Sequence, residues 1–334
     1  KLGPFAVSAI GLGCMSMSKL HEGLMSPEAG ERLLRTALDA GVTHFDTAAL
    51  YGFGHNERLV GPVLKSHRDR IMLASKGGMG GITGEDGVTR RVIDGRPESL
   101  RRNIEDSLRR LGAEVIDLYY LHRWDQKIPV EESVGALGEA VRRGHIRAVG
   151  LSEVSAATLR KAHREFPITA VQTEYSLWTR NPEIAVLEAC RELQTAFVAF
   201  SPVARGYLTA TLPENPVFAE GDFRRTSPRF NAENWPKNRR LLTEFGRIAA
   251  DAGCTPAQFA LAWLLAKGED ILPIPGTSNP AHLAENIGGA AVALTPELIG
   301  RAEDLINQRT IAGSRYSAQG NKEVDTEKFE GETE

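Results

Sequence analysis

The sequence has few cysteines, no long apolar run and almost no net charge, and each shortage excludes a class of protein. Cys14, Cys190 and Cys254 are the only cysteines among 334 residues. Their number is odd, and their spacing is not that of a disulfide framework or a metal site. We therefore expect a reduced, cytoplasmic protein without a bound metal.

Membranes and nucleic acids are also poor candidates as partners. No apolar run approaches the roughly 20 residues of a membrane span, and no charged-then-apolar signal segment stands at the start. The formal net charge is −3, which argues against nucleic acid or an anionic membrane as the main partner. A small-molecule substrate is expected instead, with the oligomeric state left open.

The apolar residues that are present fall into short runs separated by amphipathic segments. The eight runs are AIGLGCM (9–15), VTHFD (42–46), RIMLAS (70–75), VIDLYYLH (115–122), IRAVGLS (146–152), TAVQTE (169–174), AFVAFSP (196–202) and DILPIP (270–275). Continuous apolar runs are typical of parallel strands covered on both faces. Eight strand–helix units predict an α/β fold, the (β/α)8 TIM barrel, as a single domain over residues 1–312. The polar segment 313–334 is predicted to be a mobile tail.

Helix signals lie between the runs. Ser26 and Pro27 are predicted to begin a helix that Gly41 ends. Further helices are predicted at about 56–64, 97–112, 130–143, 156–164, 182–192, 237–251 and 256–265. The stretch GGMGGITGEDG (77–87) is predicted to be a flexible loop, and a long polar loop is predicted over about 205–235.

A barrel carries its chemistry at the C-terminal ends of its strands, and four titratable residues follow neighbouring strand ends here. They are Asp46, Tyr51, Lys76 and His122. Each alone could be a turn, loop or packing residue, but together they form an acid–base device. A lysine ammonium lowers the pKa of a tyrosine from about 10, an aspartate holds the lysine, and a neutral histidine orients a carbonyl. Such a tyrosine can act as a general acid.

The motifs around these residues resemble those of the aldo-keto reductase superfamily. They are GLGCM (11–15), FDTAALYG (45–52), LASKGG (73–78) and SLRRLGAEVIDLYYLHRWD (107–125), followed by VGLSE, VQTEYS, FSPVARGYL and PIPGTSNPAHLAENI. The resemblance covers about residues 1–310. It implies NAD(P)H-dependent reduction of aldehydes and ketones, or the reverse oxidation, with the four residues as the catalytic tetrad and Tyr51 as the proton donor.

The resemblance also implies a dinucleotide bound across the barrel rim, because GLGCMS lacks the third glycine of a Rossmann fingerprint. NADPH (NADP+) is preferred, with NADH as the alternative. The implied contacts are Gly13, Cys14 and Met15 beside the nicotinamide, Ser152 and Gln172 on its carboxamide, Phe200 against its ring, Ser201, Pro202, Ala204 and Gly206 under the pyrophosphate, and Gly276, Ser278, His282, Glu285 and Asn286 around the adenosine end.

Three positions depart from the family's pattern. The family often has asparagine at Glu153, lysine at Gly276 and arginine at His282. A carboxylate cannot donate to the carboxamide oxygen, so Glu153 is expected either to hold the nicotinamide differently or to point elsewhere. Arg224 or Arg225 in the long loop could supply the cationic fork that a 2′-phosphate prefers.

Two other classes of protein stay open at this point. One is a barrel aldolase or isomerase with Lys76 as a Schiff-base former, although Asp46 beside it would favour the ammonium. The other is a regulatory, channel-subunit-like barrel that binds the cofactor and reduces slowly. The substrate pocket is expected to have aromatic walls, with Phe53, Trp124, Trp178 and Tyr207 as candidates.

Overall fold

The computed structural model describes residues 1–18 and 23–332. Eight parallel strands lie side by side in chain order: β1 (Leu12–Gly13), β2 (His44–Asp46), β3 (Met72–Gly77), β6 (Ile116–Leu121), β7 (Ile146–Ser152), β8 (Ile168–Glu174), β9 (Ala196–Phe200) and β10 (Ile271–Pro273). The Gly11 amide donates to the Pro273 carbonyl at 3.0 Å, and the Gly13 amide donates to the Pro275 carbonyl at 3.2 Å. These bonds join β10 to β1, and the predicted (β/α)8 fold is confirmed.

The eight predicted helices are present, with shifts at their ends, and three further helices follow β10. Together they are α1 (Pro27–Asp39), α2 (His55–Leu64), α3 (Pro97–Leu111), α4 (Val130–Arg142), α5 (Ala156–Glu165), α6 (Val186–Glu192), α7 (Trp235–Asp251), α8 (Pro256–Ala266), α9 (Pro280–Gly288), α10 (Pro296–Leu305) and α11 (Ala318–Asn321). Ser26 caps α1 by accepting from the Ala29 amide at 3.3 Å. The sixth helix begins four residues later than predicted, because residues 181–183 form a 3-10 turn.

The predicted flexible loop at 77–87 is wrong for most of its length. β4 (Met79–Thr83) pairs with β5 (Thr89–Ile93) in an antiparallel hairpin that follows β3. The strand is not evident in GGMGGITGEDG, because glycine has a low propensity for strands. The β-branched residues of the partner TRRVI supply the pairing, and the Thr83 and Thr89 hydroxyls hydrogen-bond across the two strands at 2.9 Å.

The segment after residue 312, predicted to be a polar, mobile tail, is packed against the barrel over part of its length. Arg315 and Tyr316 are buried, and the Asp325 amide donates to the Glu153 carbonyl at 3.0 Å. Residues 315–327, here called the C-terminal segment, therefore lie against the ends of β7 and β8. Residues 333 and 334 lie outside the described residues.

The interior of the barrel shows why the titratable residues converge. Alternate residues of each strand point inward, and the interior cluster consists of small and apolar side chains: Met72, Ala74, Leu118, Tyr120, Ala148, Ala170, Ala196, Val198, Leu272 and Ile274, with Leu2 from the N-terminal residues. Lys76 stands two residues after Ala74, and His122 stands two after Tyr120. Strand parity thus directs both side chains inward at the C-terminal end of the barrel.

Across residues 1–18 and 23–332, no helix has the length and apolar character needed to cross a membrane.

Candidate active site

Asp46 and Lys76 form a buried ion pair at the end of the barrel. β2 pairs with β3 so that Asp46 lies opposite Ala74, two residues before Lys76. The Lys76 ammonium donates to Asp46 Oδ1, to the Thr47 carbonyl at 2.9 Å and to the Tyr51 hydroxyl at 3.2 Å. All three ammonium protons are therefore engaged.

The loop after β2 brings Tyr51 back over the barrel. The Thr47 amide donates to the Ala74 carbonyl at 2.9 Å, and the Ala49 amide donates to the Lys76 carbonyl at 3.1 Å. The Thr47 hydroxyl also donates to Asn56 Oδ1 at 2.6 Å. These bonds fix the loop on the neighbouring strand and on the start of α2. Because Lys76 donates to the Tyr51 oxygen, the phenolic proton remains available to another acceptor.

His122 completes the group beside Tyr51. Their ring centroids are 5.9 Å apart in an edge-to-face arrangement. His122 is 7% exposed, and its Nδ1 has no hydrogen-bond partner among the described residues. Burial, together with the charges of Lys76 and Arg123, holds the pKa of His122 well below its usual range. The imidazole is therefore neutral at pH 7.

The charges of the group set its protonation state. Burial raises the pKa of Tyr51 above its ordinary value, and the Lys76 charge opposes that rise without cancelling it. The expectation that lysine lowers this pKa is thus right for the lysine's effect but wrong for the net direction. Burial disfavours the Lys76 ammonium, yet Asp46 and Tyr51 outweigh burial and raise the lysine pKa. The resting state at neutral pH is a protonated tyrosine beside an ammonium.

Two of the residues expected at the nicotinamide lie next to this group. Ser152 and Gln172 are partners in the register of β7 and β8, and both are buried. The Gln172 amide donates to Asp46 Oδ2 at 2.8 Å, so the same residue touches the buried ion pair. The Ser152 hydroxyl accepts from Arg123 Nη1 at 3.2 Å.

The first strand brings the two expected ends of the cofactor site together. Gly13 and Gly276 form a parallel bridge, and a Cβ on Gly13 would lie 2.8 Å from the Ile274 carbonyl. Met15 is exposed, whereas Cys14 is fully buried and its thiol donates to the Leu12 carbonyl at 3.7 Å. The thiol of Cys14 therefore faces its own strand, and its carbonyl accepts from Asn56 Nδ2 at 2.8 Å.

The loop after β9 has an unusual backbone at the expected pyrophosphate contacts. Ser201, Ala204 and Arg205 have φ values of 49°, 52° and 57°, and Gly206 has 92°. Left-handed conformations at non-glycine residues are costly and cluster at binding sites. Pro202 and Ala204 are buried, while Phe200, Ser201 and Gly206 are partly exposed.

The residues expected at the adenosine end follow β10. Ser278 and His282 are exposed, Glu285 is partly exposed and Asn286 is buried. His282 lies in the first turn of α9, where the helix dipole and free backbone amides favour anions. Gly276 is exposed at the start of this segment.

The two loop arginines differ in placement. Arg224 is held by Asp222, Nη2 to Oδ2 at 2.6 Å, and a Cβ on Gly206 would lie 3.8 Å from Arg224 Nη1. Arg225 is exposed at the end of a 3-10 turn. Arg224 therefore reaches the loop expected beneath the pyrophosphate.

Glu153 points away from the cofactor contacts expected of an asparagine at this position. Its φ is 58°, and its Oε1 accepts from the Glu174 amide at 2.9 Å and from Arg315 Nη2. The substitution is therefore matched by a partner in the C-terminal segment.

Sequence reasoning missed Arg123, Glu174 and Arg315, all of which touch the strand ends. Arg123 directly follows His122 and Glu174 ends the VQTE run, so strand-end position was a usable signal for both. Arg315 lies 162 positions from Glu153 along the chain, and no local pattern marks it.

The four candidate aromatic walls fall into two groups. Trp178 and Tyr207 are buried and stacked with centroids 4.4 Å apart, so they belong to the core. Phe53 is 37% exposed, and Trp124 is partly buried with its Nε1 donating to the Ile128 carbonyl at 2.7 Å. Of the four, these last two are the ones that are not buried in the core.

A (β/α)8 barrel with a buried carboxylate–ammonium pair and a hydrogen-bonded tyrosine at the C-terminal ends of its strands has the layout of a barrel enzyme's active site. Comparison with known proteins identifies the class more closely. The model of the aldo/keto reductase family matches residues 9–307, and the chain belongs to this family.

Similar proteins span nearly the whole chain. The chain is 41% identical over 323 residues to the aldo-keto reductase yakc [NADP(+)] of Schizosaccharomyces pombe, and the match covers 95% of this chain and 93% of that protein. Among solved structures, a glycerol dehydrogenase from Gluconobacter oxydans has a TM-score of 0.83 at 29% identity and covers 90% of this chain and 91% of its own. An aldo-keto reductase from Klebsiella pneumoniae in complex with NADPH has a TM-score of 0.70 at 26% identity, covering 92% and 95%.

Proposed function

We propose that the protein is an NADPH-dependent oxidoreductase that reduces aldehydes and ketones to alcohols. The observation that carries the proposal is the Lys76 ammonium, which is paired with Asp46 and donates to the Tyr51 oxygen at 3.2 Å. A tyrosine in this environment has a proton to give and a cation to stabilise the phenolate that remains.

The residues of the site divide the chemistry among themselves. Reduced nicotinamide, when bound, supplies the hydride that no side chain can provide. Tyr51 gives its proton to the carbonyl oxygen, and Lys76 stabilises the phenolate. His122, neutral at pH 7, hydrogen-bonds the same oxygen and orients it. Asp46 holds the ammonium in place and is itself held by Gln172 at 2.8 Å.

The rim fits a dinucleotide in three respects. Ser152 and Gln172 offer hydrogen-bonding groups beside Asp46. The left-handed residues at 201–206 turn the backbone at the place where a pyrophosphate is expected. The bridge between Gly13 and Gly276 holds two of the expected contact residues side by side, and a Cβ on Gly13 would meet the Ile274 carbonyl, so the two segments pack closely at the rim.

The choice of NADPH over NADH is supported by relatives and by the loop cations. The Schizosaccharomyces pombe relative carries NADP(+) in its name, and the Klebsiella pneumoniae structure contains NADPH. A 2′-phosphate needs cationic partners, and His282, Arg224 and Arg225 are the candidates. His282→Arg should tighten NADPH binding and leave NADH binding unchanged. Equal dissociation constants of the parent for both cofactors would contradict the NADPH assignment.

The activity itself is tested by following reduced-nicotinamide absorbance with a panel of aldehydes and ketones. We expect oxidation of NADPH that depends on the carbonyl compound, and alcohol-dependent reduction of NADP+ in reverse. Absence of turnover across the panel, with NADPH bound, would contradict the proposal.

The other two classes lose support. A Schiff-base lysine must be a neutral nucleophile, whereas the Lys76 ammonium has all three protons engaged beside Asp46. The relatives named above are called reductases or dehydrogenases, so a regulatory channel-subunit-like barrel gains no support from them.

A further inference from the structure

We propose that Arg315, from the C-terminal segment, is a positioning residue of the cofactor site and acts through Glu153. The proposal rests on the proposed function for the identity of the cofactor. The coupling between Arg315 and the strand ends, however, is a property of the protein alone and can be measured without ligand.

Glu153 lies one residue past the end of β7 and hydrogen-bonds to the last residues of β8. It directly follows Ser152, its φ is 58° and it is 1% exposed. Its amide donates to the Gln172 carbonyl at 3.1 Å, and its Oε1 accepts from the Glu174 amide at 2.9 Å. A left-handed glutamate in a buried place persists only when its surroundings enforce it.

Arg315 holds Glu153 in this conformation. Within the described residues, it is the cation that forms an ion pair with Glu153, and Glu153 Oε2 has no hydrogen-bond partner there. The same guanidinium reaches Glu174, Nε to Oε2 at 3.3 Å. Removing one partner of a buried pair leaves a desolvated charge, which is strongly unfavourable. Loss of the Arg315 charge would therefore expel Glu153 from its place.

A displacement of Glu153 would be transmitted to Ser152 and, through Gln172, to Asp46. Ser152 precedes Glu153 in the chain, and the backbone carbonyl of Gln172 accepts a hydrogen bond from the Glu153 amide. The Gln172 side chain in turn donates to Asp46 at 2.8 Å. A change in Glu153 thus disturbs both groups expected at the nicotinamide carboxamide and the carboxylate that holds Lys76.

The rest of the C-terminal segment holds Arg315 in register. Val154 forms a parallel bridge with Asp325, and Asp325 Oδ2 accepts from the Ser155 amide at 3.2 Å and from the Ser155 hydroxyl at 3.0 Å. Ser155 is the N-cap of α5. The segment therefore fixes the chain on the far side of Glu153 as well.

The test is Arg315→Met, which keeps the length of the side chain and removes its charge. We expect the NADPH dissociation constant, measured by quenching of protein fluorescence, to rise at least tenfold. In the cofactor-free protein, hydrogen exchange at the Glu174 amide should become at least tenfold faster, because its acceptor is displaced.

The double variant Glu153→Gln/Arg315→Met separates positioning from simple loss of a contact. The neutral amide oxygen can still accept from the Glu174 amide and no longer needs a cation. We expect both readouts to return to within about threefold of the parent. Arg315→Lys, a milder change, retains the charge but not the fork that spans Glu153 and Glu174, and should weaken NADPH binding about threefold.

Arg91→Gln is the matched control. It removes the ion pair between the β4–β5 hairpin and Glu323 of the same segment, at a residue without contact to Glu153. NADPH affinity should stay within twofold of the parent.

Parental NADPH affinity in both Arg315→Met and Arg315→Lys would overturn the proposal. A lower melting temperature of Arg315→Met with unchanged affinity and unchanged exchange at Glu174 would overturn it too, as a purely structural role. If Arg315→Met does not fold, Arg315→Lys carries the test. A parent that does not bind NADPH would contradict the proposed function instead, while the exchange measurement would still report on the coupling.

Discussion

At the scale of single residues, Tyr51 is the group whose chemistry decides the activity. Its oxygen accepts from Lys76, and its ring lies 5.9 Å from that of His122. Replacement by phenylalanine keeps the ring and deletes the proton. General acid catalysis is typically worth about 10²–10⁴-fold, so Tyr51→Phe should lower turnover by at least about 10²-fold with NADPH affinity nearly unchanged. Near-parental turnover, measured with saturating NADPH, would remove Tyr51 from the mechanism.

Lys76 acts on the tyrosine through its charge. Burial raises the pKa of Tyr51, and Lys76 limits that rise. Lys76→Met removes the limit, so the pKa of Tyr51 should rise further. In alcohol oxidation Tyr51 must accept a proton, and the pH profile of that direction should move to higher pH.

The exposed Lys65 provides the control for this experiment. Lys65→Met should leave the pH profile where it is in the parent. An identical profile in the Lys76→Met enzyme would mean that Lys76 does not tune the tyrosine.

At the scale of elements, the contact between α2 and α3 depends on Gly61. Helix propensity alone would predict that alanine stabilises α2 at this position. A Cβ on Gly61 would lie 2.4 Å from the backbone carbonyl oxygen of Leu111, which cannot move without shifting the end of α3. Alanine is favoured over glycine in a helix by about 1 kcal/mol. Gly61→Ala should nevertheless destabilise the protein, by about 1–3 kcal/mol as for other overpacked sites.

Gly246 in α7 is the matched position, because nothing lies within 4 Å of its added Cβ. Gly246→Ala should stabilise the protein by about 0.5–1 kcal/mol. Urea unfolding of both variants checks the pair. Stabilisation by Gly61→Ala would show that the two helices can separate at little cost.

At the scale of the whole molecule, two buried histidines make stability depend on pH. Burial lowers the pKa of His44 to about 4 and holds that of His122 well below its usual range. Both are neutral when folded and protonate near their ordinary value of about 6.5 when unfolded. The unfolded chain therefore binds more protons below about pH 6.5, and the free energy of unfolding falls as the pH is lowered.

The shift at His44 corresponds to about 3 kcal/mol at 1.36 kcal/mol per pKa unit. That stability is present above about pH 6.5 and should be lost between pH 6.5 and 4. The free energy of unfolding in urea, measured from pH 8 to pH 4.5, should fall across this window. The slope should be smaller in His44→Leu, even if that variant is less stable at every pH. An equal slope would mean that His44 does not carry the effect.

The sequence by itself determined the parts of the protein that follow from local pattern. Continuous apolar runs predicted the eight strands, and strand-end positions predicted that Asp46, Lys76 and His122 would meet, because period-two alternation directs all three inward. Ser26 and Pro27 predicted the start of α1. These features depend on residues a few positions apart, so their signals lie within single segments.

Only the tertiary structure decided the features that depend on strand pairing or on burial. The β4–β5 hairpin needs TRRVI to pair with a glycine-rich stretch, and neither strand is evident alone. The C-terminal segment looks like a polar tail until Arg315 is placed against Glu153, 162 positions earlier. The net rise of the Tyr51 pKa likewise depends on burial, which spacing along the chain does not report. The hairpin depends on pairing between two strands, whereas the other two features depend on burial by remote segments, and a linear pattern records neither.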